Sequence, residues 1–221
     1  MSEVRERLEK IIAEKGTRLC FSADLEDPRE LLVILEKVAD YIAVVKIHYD
    51  ILKFNEKVMR EWRFIESFNM LKERHNFMVM EDRKLFDISY IIQRQWKRFS
   101  GWVDLVTVHG LVNEEVLKVL PDVGVLLVCN MSNNDYDITD RCKEFWERNN
   151  NVVGFITQNK VEGVMCFTPG ISLTAGVDSD QKYRSLKDIS SKPDIFIVGR
   201  GIYNAEDPKV AAETLKNVYF S

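Results

Sequence analysis

Eight short, apolar, β-rich runs recur along this chain, and they constrain its fold more than any other feature. They are Arg18–Ala23, Tyr41–Val45, Phe77–Met80, Val103–Val108, Val123–Cys129, Val152–Ile156, Val164–Phe167 and Ile195–Val198. Most are near-continuous rather than alternating, as expected of parallel strands buried on both faces. Helical periodicity separates them. Pro28 to Ala39 carries Leu31, Leu32, Leu35 and Val38 on one stripe, with Asp27 placed to cap and Pro28 suited to the first turn. Asn55 to Arg74, Ile88 to Phe99, Asn113 to Leu120, Thr139 to Asn149 and Pro208 to Phe220 follow the same logic, and Lys182 to Ser190 gives a weaker helix. The gap Thr157 to Gly163 is too short for a full helix.

Strand–helix alternation repeated about eight times fits an α/β fold of the (β/α)₈ TIM-barrel type. A doubly wound open sheet is the alternative, but it usually uses fewer strands. No linker rich in Pro, Gly or Ser interrupts the pattern, so residues 1–221 are expected to form a single barrel domain.

Composition narrows the class. The net charge of −4 comes without a basic block, so nucleic acid and anionic membranes are poor partners. No apolar run approaches the ~20 residues of a membrane span. The charged stretch Met1 to Glu14 is unlike a signal peptide. Cys20, Cys129 and Cys166 sit in strand-like runs, Cys142 falls in a helix, and no pair has metal-ligand spacing. A reduced, cytoplasmic protein is expected.

In a barrel the C-terminal strand ends converge on one mouth. The polar residues there are Asp24, Lys46 with His48 and Asp50, Asp82 with Lys84, His109-Gly110, Asn130-Met131-Ser132, Thr168-Pro169-Gly170 and Gly199-Arg200-Gly201. Residues at i and i+2 of a strand share a face, so Asp82 and Lys84 should point the same way, with Asp87 where strand gives way to helix. Such a charged stretch is commonly a solvated loop. Its place at a mouth favours chemistry instead. Lys46 follows a run that should be deeply buried, and a buried ammonium needs partners. Asp24 and Asp82 are the natural ones, giving an alternating row Asp24–Lys46–Asp82–Lys84.

Gly199-Arg200-Gly201 opens a short helix after the last strand, a phosphate corner in barrels of this kind. The Gly-Arg-Gly triplet alone is weak. His75 lies at the opposite face, and His48 and His109 are expected as hydrogen-bonded wall residues. No His/Asp/Glu set has metal geometry, and Ser132 lacks a nucleophile-elbow setting.

These residues closely resemble the orotidine 5′-phosphate decarboxylase family. The likeness runs through 19–24 (LCFSAD), 45–52 (VKIHYDIL), 81–88 (EDRKLFDI), 104–110 (DLVTVHG), 152–156 (VVGFI), 167–171 (FTPGI), 181–184 (QKYR) and 197–202 (IVGRGI), with the third as the most specific signature. The loop after the seventh strand is similar to the eukaryotic branch. The resemblance implies a barrel, a homodimer with shared active sites, a nucleotide substrate, and no metal or cofactor. It implies a catalytic set of Lys46, Asp82, Lys84 and Asp87, with Asp87 serving the partner subunit's site. It assigns Asp24 and Lys46 to the ribose, Ser132 to the pyrimidine, and Gln181, Tyr183, Gly199 and Arg200 to the phosphate. Pro169 is implied as an apolar contact near the ring, and Ile88 as a further substrate contact.

The chain departs from the family pattern at several positions. Ile91 stands where threonine is usual, Asn130 where glutamate is usual, and Phe86 where alanine is usual. Ile47 and Tyr49 replace Thr and Val, and Lys182 replaces a glutamine.

The expected reaction is loss of CO₂ from C6 of orotidine 5′-monophosphate, with Lys84 stabilising and protonating the carbanion. Two rivals remain: a metal-dependent sugar-phosphate lyase of the same wider group, which typically has a glutamate at the position of Lys46, and a non-catalytic nucleotide-binding relative.

Overall fold

The computed structural model describes residues 2–57, 59–131, 136–172, 176–178, 181–185 and 192–220; the side chains of 176–178, 181, 182, 219 and 220 lie outside that set. Eight parallel strands close a barrel in the order β1-β11-β7-β6-β5-β4-β3-β2. They are β1 (Leu19–Ser22), β2 (Val44–Ile47), β3 (Met78–Leu85), β4 (Leu105–His109), β5 (Gly124–Val128), β6 (Val152–Ile156), β7 (Met165–Thr168) and β11 (Ile195–Val198). Each of the eight apolar runs supplies one strand. Three short strands, β8 (Ile171–Ser172), β9 (Gly176–Asp178) and β10 (Gln181–Ser185), form a separate sheet after β7.

The strands bury two layers. Cys20, Val44, Met78, Met80, Leu105, Leu126, Val128 and Phe167 fill the barrel interior. Their chain neighbours, such as Phe21, Val45, Val79, Val106 and Leu127, face the surrounding helices. This in–out alternation on strands covered on both sides is why the sequence shows continuous apolar runs.

The helices are α1 (Glu3–Lys15), α2 (Pro28–Val38), α3 (Glu61–His75), α4 (Ser89–Trp96), α5 (Glu115–Lys118), α6 (Thr139–Arg148), α7 (Arg200–Tyr203) and α8 (Pro208–Phe220). The Asp27 carboxylate accepts from the Arg29 N–H and Pro28 opens α2, as the sequence predicts. Between β6 and β7 the described chain has no helix.

Four helical expectations need correction. Helix α3 begins at Glu61, because Asn55 and Met59 pair in an isolated antiparallel bridge. The Asn113–Leu120 segment shortens to the four residues of α5. The segment from Lys182 begins as strand β10, which pairs with β8 and β9; residues 186–190 lie outside the described set. The charged N-terminal stretch forms an unexpected helix, α1, whose Leu8, Ile11 and Ile12 pack onto the barrel-interior residues. Among the described residues no helix is long and apolar enough to cross a membrane.

Candidate active site

The site begins with a break in a strand. Strands β3 and β4 keep register at Met80↔Leu105 and Glu81↔Val106. The next pair is Leu85↔Val108, so β3 advances four residues while β4 advances two. Asp82, Arg83 and Lys84 occupy this bulge, the device by which strand ends commonly re-aim side chains. Lys84 takes a left-handed backbone, φ 48°, which a non-glycine residue adopts at a cost of order 1–3 kcal/mol. Thr107 of β4 braces the bulge: its Oγ1 accepts the Lys84 N–H at 2.8 Å and donates to Asp82 Oδ1 at 2.8 Å. The sequence places Asp82 and Lys84 on one side by regular alternation; they do meet, but through the bulge.

A row of alternating charge crosses three neighbouring strand ends. Lys46 Nζ lies 2.9 Å from Asp24 Oδ1 and 3.2 Å from Asp82 Oδ2. Lys84 Nζ lies 2.8 Å from the same Asp82 oxygen. Lys46 also approaches His48 Nε2 at 2.8 Å. An ammonium has three N–H donors, and three acceptors surround this one. With Lys46 as donor, His48 must accept through Nε2 and is neutral.

The ionisation tendencies follow from these contacts. Burial by itself would lower the Lys46 pKa, but Asp82 and Asp24 outweigh it and hold the ammonium charged above its ordinary range. Burial would raise the Asp82 pKa, but Lys46 and Lys84 hold the carboxylate well below its ordinary range. Asp24 is lowered too, against burial, by Lys46. Burial and then Lys46 push His48 down. Asp24, Lys46 and Asp82 therefore stand charged at neutral pH, with His48 neutral between them.

This row forms one wall of a cavity of about 870 Å³, its open mouth included. Asp24, Lys46, Asp82, Lys84, Pro169, Tyr183, Gly199 and Arg200 all line it. Gly199 permits the close approach of β11 to β1: a Cβ there would come within 3.1 Å of the Ser22 carbonyl oxygen and 3.4 Å of Asp24 Oδ2. Helix α7 opens at Arg200, whose guanidinium carbon lies 5.5 Å from the Tyr183 ring centre. Gln181 lies on β10 beside Asp178; its side chain and the whole of Ser132 fall outside the described residues.

Two expected residues stand apart. Asp87 and Ile88 are exposed and do not line the cavity of their own chain. The Asp87 carboxylate accepts the adjacent Ile88 N–H at 2.7 Å. Phe86, Ile88 and Tyr90 are each more than 60% exposed, an unusual apolar group beside a mouth.

Sequence reasoning gave His48 only a wall role and passed over Thr107 and Gln158. Among the described residues no group of three His, Cys, Asp or Glu side chains could hold a metal ion.

Comparisons with known proteins converge. Residues 17–215 match the model of the orotidine 5′-phosphate decarboxylase / HUMPS family. The chain is 34% identical to the uridine 5′-monophosphate synthase of Bos taurus over 95% of its own length. It spans 47%, about half, of that relative. It is 31% identical to the orotidine 5′-phosphate decarboxylase of Candida parapsilosis, over 97% of this chain and 89% of the relative. The fold is similar to that of the Methanocaldococcus jannaschii orotidine 5′-monophosphate decarboxylase solved with the inhibitor BMP: TM-score 0.67, 23% identity, 92% of this chain and 98% of the other.

Proposed function

The chain belongs to the orotidine 5′-phosphate decarboxylase / HUMPS family, and we propose that it converts orotidine 5′-monophosphate to uridine 5′-monophosphate without a metal. The observation that carries this is the alternating row Asp24–Lys46–Asp82–Lys84 along the cavity wall. Heterolysis of the C6–carboxylate bond releases CO₂ and leaves the electron pair on C6. Lys84 Nζ–H supplies a fixed positive charge there and then the proton. Asp82 stands near the departing carboxylate; two like charges ~4 Å apart repel by about 4 kcal/mol at an effective dielectric near 20. We give the greater share to Lys84, whose charge needs no reorganisation as the carbanion forms.

In this scheme Asp24 and Lys46 hold the ribose, Ser132 reads the pyrimidine ring, and Pro169 and Ile88 add apolar contact. Gln181, Tyr183, Gly199 and Arg200 take the phosphate. That grip is remote from C6, so its binding energy can be used to align the ring. Residues 1–221 act as one barrel domain in a cytoplasmic homodimer, and Asp87 completes the partner's site. The exposure of Asp87 and the apolar group around it support that arrangement.

The test is the fall in absorbance of orotidine 5′-monophosphate on adding pure protein, with and without a chelator. Turnover indifferent to the chelator is expected. Activity lost on chelation, or turnover only of a keto-sugar phosphate, would overturn the assignment.

A further inference from the structure

Besides the charged row, a second polar chain joins the strand ends. It is centred on Gln158, in the helix-free link between β6 and β7. All four polar groups of Gln158 are engaged. Its N–H donates to Asn130 Oδ1 at 2.6 Å, and its Nε2 donates to the Pro169 carbonyl at 3.3 Å. Its carbonyl and its Oε1 both accept from Arg184 Nη2, at 2.7 and 2.8 Å. Asn130 is buried and ties the chain onward, with Nδ2 3.2 Å from Asp137 Oδ2 and 3.4 Å from Thr157 Oγ1. At the other end the Arg184 N–H donates to the Gly170 carbonyl at 2.8 Å.

Arg184 and Tyr183 are neighbours on β10, so their side chains take opposite faces of the strand. Tyr183 lines the cavity beside Arg200. Arg184 grips Gln158 instead. Strand β10 belongs to a small sheet outside the barrel. The guanidinium is therefore a side-chain tie between that sheet and the barrel rim, and through Asn130 it reaches the strand end from which Ser132 follows.

We infer that Arg184, acting through Gln158 and Asn130, is a positioning residue: it docks β10 so that Tyr183 and Arg200 form the phosphate grip in register with the base side of the cavity. This rests on the proposed use of a 5′-phosphorylated nucleotide. A grip displaced by about 1 Å costs roughly 100-fold in rate, but only for a substrate that uses it.

The experiment compares wild type with Arg184→Met, Gln158→Leu and the double variant on orotidine 5′-monophosphate and on orotidine, which lacks the phosphate. Thermal melting is followed alongside. With the nucleotide, each single variant should lose about 100-fold in kcat/KM. The double variant should lose no more than either, because one linkage is being broken. With the nucleoside, rates should stay within about twofold of wild type, and Arg184→Lys should recover part of the nucleotide rate. Equal losses on both substrates, additive losses, or no loss would overturn the inference while leaving the decarboxylase assignment standing. Wild type inert on both substrates would overturn the assignment and the inference with it.

Discussion

Lys84 Nζ stands 2.8 Å from Oδ2 of Asp82, two positions back on the same bulged strand. The pair is braced from β4 by Thr107 and flanked by Lys46, so neither charge can relax far from the other. That rigidity suits an electrostatic role, in which a charge must already be in place when the transition state forms.

Replacing Lys84 with alanine should abolish decarboxylation by at least about 10³-fold, while leaving uridine 5′-monophosphate binding in place by calorimetry. Undiminished turnover would remove Lys84 from the chemistry.

Thr107 is fully buried and touches both members of the pair. Thr107→Val keeps the shape but loses an acceptor and a donor. Stability should fall by about 1–2 kcal/mol in urea titrations. The rate constant kcat should fall more than KM changes, since Thr107 holds Lys84 rather than the substrate.

Glu81 faces away from the cavity and is fully buried, with Oε2 accepting the Tyr49 N–H at 3.0 Å. Burial pushes its pKa from an ordinary 4.5 up to about 8, with Asp50 and Asp82 adding to the rise and the Tyr49 N–H opposing it. The folded state therefore binds the proton more tightly than the unfolded chain. The contribution to stability is fully present below about 4.5 and is lost as pH rises through about 8. The unfolding free energy of wild type from urea titrations should decline across that window, by about 1.4 kcal/mol per pH unit from this group. Glu81→Gln should flatten the decline, and an unchanged slope would show that Glu81 ionises freely.

Asp87 offers a test of shared sites. Lys84→Ala and Asp87→Ala homodimers should each be nearly inert. Unfolded together and refolded as an equal mixture, they should regain about a quarter of wild-type activity, since half the dimers are mixed and each has one intact site. No recovery would place Asp87 outside the partner's site.

The eight strands were legible because parallel barrel strands are buried on both faces and leave continuous apolar runs. Lys46 was legible because a charge directly after such a run needs partners. Strand β10 was not, because 181–185 (QKYRS) has no strong period of its own and becomes a strand only through β8 and β9. Helix α1 was hidden by its charge, since just three of its side chains are buried.

The sequence by itself determined the eight barrel strands, the mouth residues Asp24, Lys46, Asp82 and Lys84, and the family to which they belong. Each is written locally, in a hydrophobic run and the polar residues that end it. Only the tertiary structure decided that Lys84 adopts a left-handed backbone, that Thr107 braces it, and that Gln158 gathers Asn130, Pro169 and Arg184. Those features depend on register between strands far apart in the chain. No local pattern encodes a hydrogen bond whose partner is set by the closure of a barrel.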